Sequence, residues 1–174
     1  MNTMKKLLSI FVMTLLFTNA FAGGVKVTLG NKDVLKETTS AILELDYSNA
    51  RWEKGISYKD KFGEKYDENV RLSVEYFRNA FNTASKGLKL TDDAGSKYKM
   101  VFVVENVEQH QGGGMWGRMY WAITGQINII DLSTQNVVLS VKVDRVDGNG
   151  DYTVPGRIDK SFSEVAVKLV NLKK

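Results

Sequence analysis

The spacing of hydrophobic residues changes along the chain from two to nearly four and back, and each change marks an element. Val25, Val27 and Leu29 alternate with Lys26 and Thr28, and Ala41, Leu43, Leu45 and Tyr47 nearly alternate with their neighbours. Both runs suit short strands with one buried face. Residues 49–65 turn charged and aromatic, with Trp52, Tyr58 and Phe62 scattered among Lys, Asp and Glu, and read as a long, partly ordered connection. Val70, Val74, Phe77, Phe81 and Ala84 then recur at spacings of four and three. That is one buried helical stripe, and with Asp67 as cap and Gly87 as stop it predicts a helix over 67–86.

The period then returns to two. Tyr98, Met100, Phe102 and Val104 alternate with Lys99, Val101, Val103 and Glu105, a strand apolar on both faces that suits the middle of a sheet. Trp121, Ile123, Ile127 and Ile129 point one way, opposite Thr124, Gln126 and Asn128. After a polar turn at 133–136, Val137, Leu139, Val141 and Val143 do the same opposite Ser140, Lys142 and Asp144. The pair predicts a long antiparallel hairpin, apolar on one face and polar on the other. Beyond Pro155, Ile158, Phe162, Val165, Leu169 and Leu172 mark a second amphipathic helix. Ser161 and Glu164 fit a capping box if that helix starts late. The order ββ, α, βββ, α predicts an α+β two-layer sandwich: a mainly antiparallel sheet of about five strands with two amphipathic helices on one face.

The first residues follow another logic. Lys5 and Lys6 precede an apolar and small-polar run over 7–17, and the Ala20-Phe21-Ala22 stretch places small alanines where signal peptidase acts. This reads as a secretory signal, residues 1–22, cleaved after Ala22, and the run is too short for the roughly 20 apolar residues of a membrane-spanning helix. The mature chain, 23–174, is then a single domain in the periplasm or outside the cell, with no stable membrane anchor. Cysteine is absent, so neither a disulfide framework nor a lipidated cysteine is available. The 24 basic residues include Lys5 and Lys6, so export leaves 22 against 20 acidic ones, a net +2 in place of +4. A charge so small and dispersed argues against nucleic acid as a partner.

The hairpin over 127–139, INIIDLSTQNVVL, with Asp131 ending one strand and Val137 opening the next, resembles a broad group of bacterial cell-envelope proteins. Their α/β domain is similar to the N-terminal domain of the translocation protein TolB and to the curli secretion lipoprotein family. The resemblance covers about residues 40–172. The run Leu43, Glu44, Leu45, Asp46, Tyr47, Ser48 is similar to small secreted proteins of gut-type Gram-negative bacteria. The resemblance implies an envelope domain that binds or assembles with other molecules without catalysis. The chain departs from many relatives in lacking the lipobox cysteine.

Candidate chemistry is sparse. His110 is the sole histidine, and no serine among Ser73, Ser85 and Ser96 has the elbow context of a nucleophile. Asp92, Asp93, Glu105 and Glu108 offer carboxylates, but their spacing selects no glycosidase pair. Asp147, Asn149 and Asp151 match the first oxygen ligands of a calcium loop, a weak candidate because Tyr152 and Ile158 stand where glycine and glutamate are required. No cofactor motif is present. The segment 112–118 is the most distinctive: Gly112, Gly113, Gly114 and Gly117 surround Met115 and Trp116, with Arg118 and Tyr120 adjacent. Adaptable apolar, aromatic and guanidinium groups on a glycine-rich loop describe a contact surface; alternatively, Trp116 folds back to cap the core. Trp52 either staples its segment to the domain or lines a groove. The leading expectation is a non-catalytic exported module contacting an envelope protein partner. The alternative is a glycan- or lipid-binding module walled by Trp52, Trp116 and Tyr120, with a small hydrolase behind both.

Overall fold

The computed structural model describes residues 23–111, 119–148 and 154–172; the leader 1–22 lies outside them. Strand β1 (Gly24–Gly30) leads through a 3-10 turn at Lys32–Lys36 into β2 (Ser40–Asp46). The short β3 (Arg51–Trp52) and helix α1 (Tyr58–Phe62) precede the long helix α2 (Tyr66–Ala84). Strands β4 (Lys89–Thr91), β5 (Tyr98–Gln111), β6 (Met119–Asp131) and β7 (Val137–Asp147) follow, and then helix α3 (Val154–Val170). The strands form one sheet in the order β1-β7-β6-β5-β2-β4, with β3 beside β5.

This corrects the expected sheet in number and direction. Among the described residues it has seven strands, and although β5, β6, β7 and β1 are antiparallel, β2 runs parallel to β4 and β5, and β3 parallel to β5. The reason is topological: α2 carries the chain from β2 back across the sheet, and a helical crossover returns the next strand in the same direction. The extra strands, β3 and β4, span two and three residues, too few to print an alternation.

Both long helices lie on one face of the sheet. Phe102 in β5 meets Phe77 of α2 at 5.9 Å and Phe162 of α3 at 5.7 Å between ring centroids. Phe77, Phe81, Ile127 and Leu169 belong to the same buried cluster. Burying such side chains contributes about 1.5–3 kcal/mol each, which is the main force closing the two layers.

The helices differ from expectation at their ends. In α2, Lys65 takes the N-cap position without a side-chain bond and Asp67 sits in the first turn, where its charge favours the positive end of the dipole. The helix stops at Ala84, before Gly87. That glycine is needed for a close approach, since a Cβ there would collide with the backbone of Lys36. The fully inward stripe begins with Asn69 and Ser73, while Val70 and Val74 are only partly buried. Helix α3 starts at Val154, with Pro155 in its first turn. Ser161 is therefore interior and caps nothing: its Oγ donates to the Trp121 carbonyl at 2.6 Å and accepts from Gly148 N at 2.9 Å, tying α3 to the ends of β6 and β7.

Local devices shape the sheet. At its β4 edge, the Asn82 amide accepts from Leu90 N at 2.7 Å and donates to the Leu90 carbonyl at 2.9 Å, so a side chain stands in for the missing strand. In the middle, β5 bulges at Glu105 and β7 at Asp144 and Arg145, both opposite Thr124 and Gly125 of β6. Arg145 takes the left-handed φ of 47° that the bulge requires. Each bulge flips the inward parity, from Val104 to Val107 and from Val143 to Val146. Another register shift, between Ile129 and Ile130, turns Val137 out, so it is 41% exposed instead of joining Leu139, Val141 and Val143 inside.

Candidate functional site

Two features converge at the far half of β5 and β6. The first is an arm. β3 pairs with β5 as far as Val107, and β7 pairs with β6 from Ala122 onward. Beyond those points, Gln109, His110 and Gln111 of β5 pair only with Trp121, Tyr120 and Met119 of β6 among the described residues. A two-stranded ribbon thus extends past its neighbours and leads into segment 112–118. Met115, Trp116 and Arg118 lie outside the described residues, as do the side chains of Tyr120 and His110.

The second is the sheet face opposite the helices. Ile42, Val101, Val103 and Ile130 are half-buried there and do not belong to the core cluster. Between them, Lys99 bridges Glu44 at 2.6 Å, and Gln126 Nε2 donates to Ser140 Oγ at 2.7 Å while that hydroxyl donates to Asn128 Oδ1 at 2.8 Å. Apolar residues interleaved with satisfied polar groups have the composition of a surface that can meet a partner without collapsing on itself. The β6–β7 hairpin is flanked by β5 and, over Leu139–Asp144, by β1, so that stretch lies inside the sheet, whereas Met119–Trp121 of β6 pair on one side only among the described residues.

The root of the arm is held by aromatics. Trp52 is 4% exposed and packs on Trp121 at 4.5 Å, edge-on to Phe62 at 5.1 Å, with Lys61 Nζ 5.3 Å from its ring centre. Tyr58 joins Trp52, Phe62 and Tyr47. The segment 49–65 is therefore an ordered wedge that fixes the ribbon to the body, and Trp52 is packed against protein instead of facing a groove. Sequence periodicity misses this because the wedge consists of short turns in which no spacing repeats; its density of aromatics is the one available signal.

A polar cluster is buried between the helices. Asp159 of α3 is 5% exposed, and Ser73 Oγ donates to its Oδ1 at a long 3.4 Å and to the Asn69 carbonyl at 2.9 Å. Burial pushes the Asp159 carboxyl up to about 6, against a smaller lowering by Ser73. Tyr47 is raised well above its ordinary value by burial, and Tyr58 by burial and then by the Asp159 charge. The Tyr47 hydroxyl lies near Ser73 without a bond of normal geometry, and Asn69 Nδ2 is also unpaired. These groups explain the polar start of the α2 stripe.

The remaining candidates are scattered. Ser73, Ser85 and Ser96 are all buried. Asp92 is held by both terminal nitrogens of Arg78, and Asp93 caps the turn at Gly95. Glu105 and Glu108 stand in the far half of β5, Glu108 lying 3.6 Å from Arg145. The structure does not bring these carboxylates together: one pair follows β4 and the other belongs to the arm side. Asp147 ends β7, while Asn149 and Asp151 lie outside the described residues. Among the described residues no helix is long and apolar enough to cross a membrane.

No protein-family model and no curated protein matches the chain, so the TolB-like and curli-secretion resemblance rests on pattern alone. Among solved structures, PelC from Paraburkholderia phytofirmans, a dodecamer, is similar over 87% of this chain and 100% of that one, at 16% identity and a TM-score of 0.48. Protein XCC0632 from Xanthomonas campestris is similar over 85% and 91%, at 14% identity and 0.42. A neuraminyllactose-binding hemagglutinin homolog from Helicobacter pylori is similar over 80% and 89%, at 10% identity and 0.36. Likeness at these identities and scores carries no argument about function.

Proposed function

We propose that the chain is an exported, non-catalytic binding and assembly module of the bacterial cell envelope. It holds a protein partner through the tip of the β5–β6 arm and the adjoining uncovered face of the sheet. The observation that carries this reading is the arm itself: a ribbon anchored by buried aromatics at its root that, among the described residues, outruns the strands on both sides. A rigid root limits the ordering entropy lost on binding, and the glycine-rich tip with Met115, Trp116 and Arg118 supplies residue types favoured at interface centres.

The test is crosslinking in intact cells followed by affinity capture, comparing the native chain with Met115→Ala/Trp116→Ala. The native chain is expected to retain a discrete crosslinked partner that the double variant loses. Equal recovery of the same partner by both would contradict the assignment of the tip.

A further inference from the structure

At the other end of the sheet, away from the arm, a cavity of about 330 Å³ opens where the last turns of α2 and α3 meet the 3-10 turn at Lys32–Lys36. Its apolar lining is Leu35, Ala84, Val170 and Leu172. Its charged lining is Lys32, Lys36 and Lys86, with no carboxylate among the described residues that form it. A helix C-terminus carries roughly half a negative charge, so two converging ends would ordinarily repel an anion. Here that field is already answered. Lys32 Nζ donates to the Leu172 carbonyl at 3.0 Å at the end of α3, and Lys89 Nζ donates to the Asn82 and Ser85 carbonyls at the end of α2.

Two cations are then left for the mouth. Lys86 is exposed and makes no salt bridge to a described residue. Lys36 pairs with Asp33 at 2.7 Å, but both side chains are more than half exposed, and such a pair contributes little and re-partners readily. An apolar floor under a cationic rim is complementary to an apolar chain ending in an anion, and the volume is at the small end of ligand sites. We propose that this cavity binds a single-chain amphiphile with an anionic head group, its carboxylate or phosphate met by Lys36 and Lys86 and its chain laid against Leu35, Ala84, Val170 and Leu172. The site does not depend on the protein-partner reading, since it shares no residue with the arm or the uncovered face.

The test uses the mature chain and four probes with the same twelve-carbon tail: dodecanoate, dodecyl phosphate, dodecyltrimethylammonium and dodecyl maltoside, each below its micelle concentration. Calorimetry and thermal melting are expected to show saturable binding of at least one anionic probe and none of the cationic or neutral ones; the two anionic arms distinguish a fatty acid from a phosphate head. Lys36→Glu/Lys86→Glu, both on the surface, is expected to weaken that binding by about tenfold or more. Ala84→Phe fills the cavity and is expected to abolish it, with circular dichroism checking the fold. Absence of binding by both anionic probes, equal binding of all head groups, or full affinity in the double lysine variant would each overturn the proposal.

Discussion

On β5, Phe102 is fully buried and touches rings on both long helices, whereas its neighbours Val101 and Val103 are only partly buried on the opposite face. The two faces are made of the same strands, and both carry apolar side chains. What separates them is coverage. On the covered face every apolar group removed from water adds to stability, and on the uncovered face that gain is still available to something else. The same contrast appears along β5, whose near half lies between β2 and β6 and whose far end pairs with β6 alone among the described residues. Stability is concentrated where the sheet is covered, and partly exposed apolar area remains where the described residues leave it uncovered.

The largest expected effect separates the faces directly. Phe102→Ala removes a ring shared by both helices and is expected to destabilise the domain by about 3–5 kcal/mol. Val103→Ala on the other face should change stability by about 1 kcal/mol or less. Urea unfolding of the two variants measures both, and equal losses would mean that the uncovered face is also packed.

A smaller effect comes from the polar exception within the covered layer. The Asp159 carboxyl titrates at about 6 in the folded chain, above the ordinary carboxylate value near 4. The folded state therefore binds the extra proton between those values. Stability falls as pH rises from about 4 to about 6, and the loss is complete above that. Asp159→Asn removes the penalty, so it should stabilise the domain at pH 7 by roughly 2–3 kcal/mol and flatten that part of the stability curve. A variant whose melting temperature follows the native pH profile would show that the carboxylate is satisfied in the folded chain.

Much of this architecture is legible in the hydrophobic period. Phe77 and Phe81, then Met100 and Phe102, then Ile127 and Ile129 lie where spacing places them, because long regular elements repeat their pattern often enough to be read. What escapes is irregular or paired at a distance. The inward position of Asn69 and Ser73 depends on Asp159 lying opposite on another helix, and no local spacing shows that. The bulges reverse the faces at Val107 and Val146 through one extra residue each, which looks like noise in the sequence. Trp52 belongs to a segment without period, so its burial emerges only when Trp121, 69 positions further along the chain, is brought against it. The cavity at the helix ends is assembled from three separate stretches and leaves no motif at all. Of the candidate contact site, the sequence shows the unusual composition of 112–118, while the ribbon that presents it follows from strand pairing.

The most direct test of the contrast between the faces is a photo-reactive amino acid placed singly at Gln126 on the uncovered face and at Glu75 on the solvent side of α2, followed by illumination of intact cells. A discrete protein adduct is expected from Gln126 and none from Glu75. An adduct from Glu75 with none from Gln126 would contradict it, because the helical layer would then be the face that meets the partner.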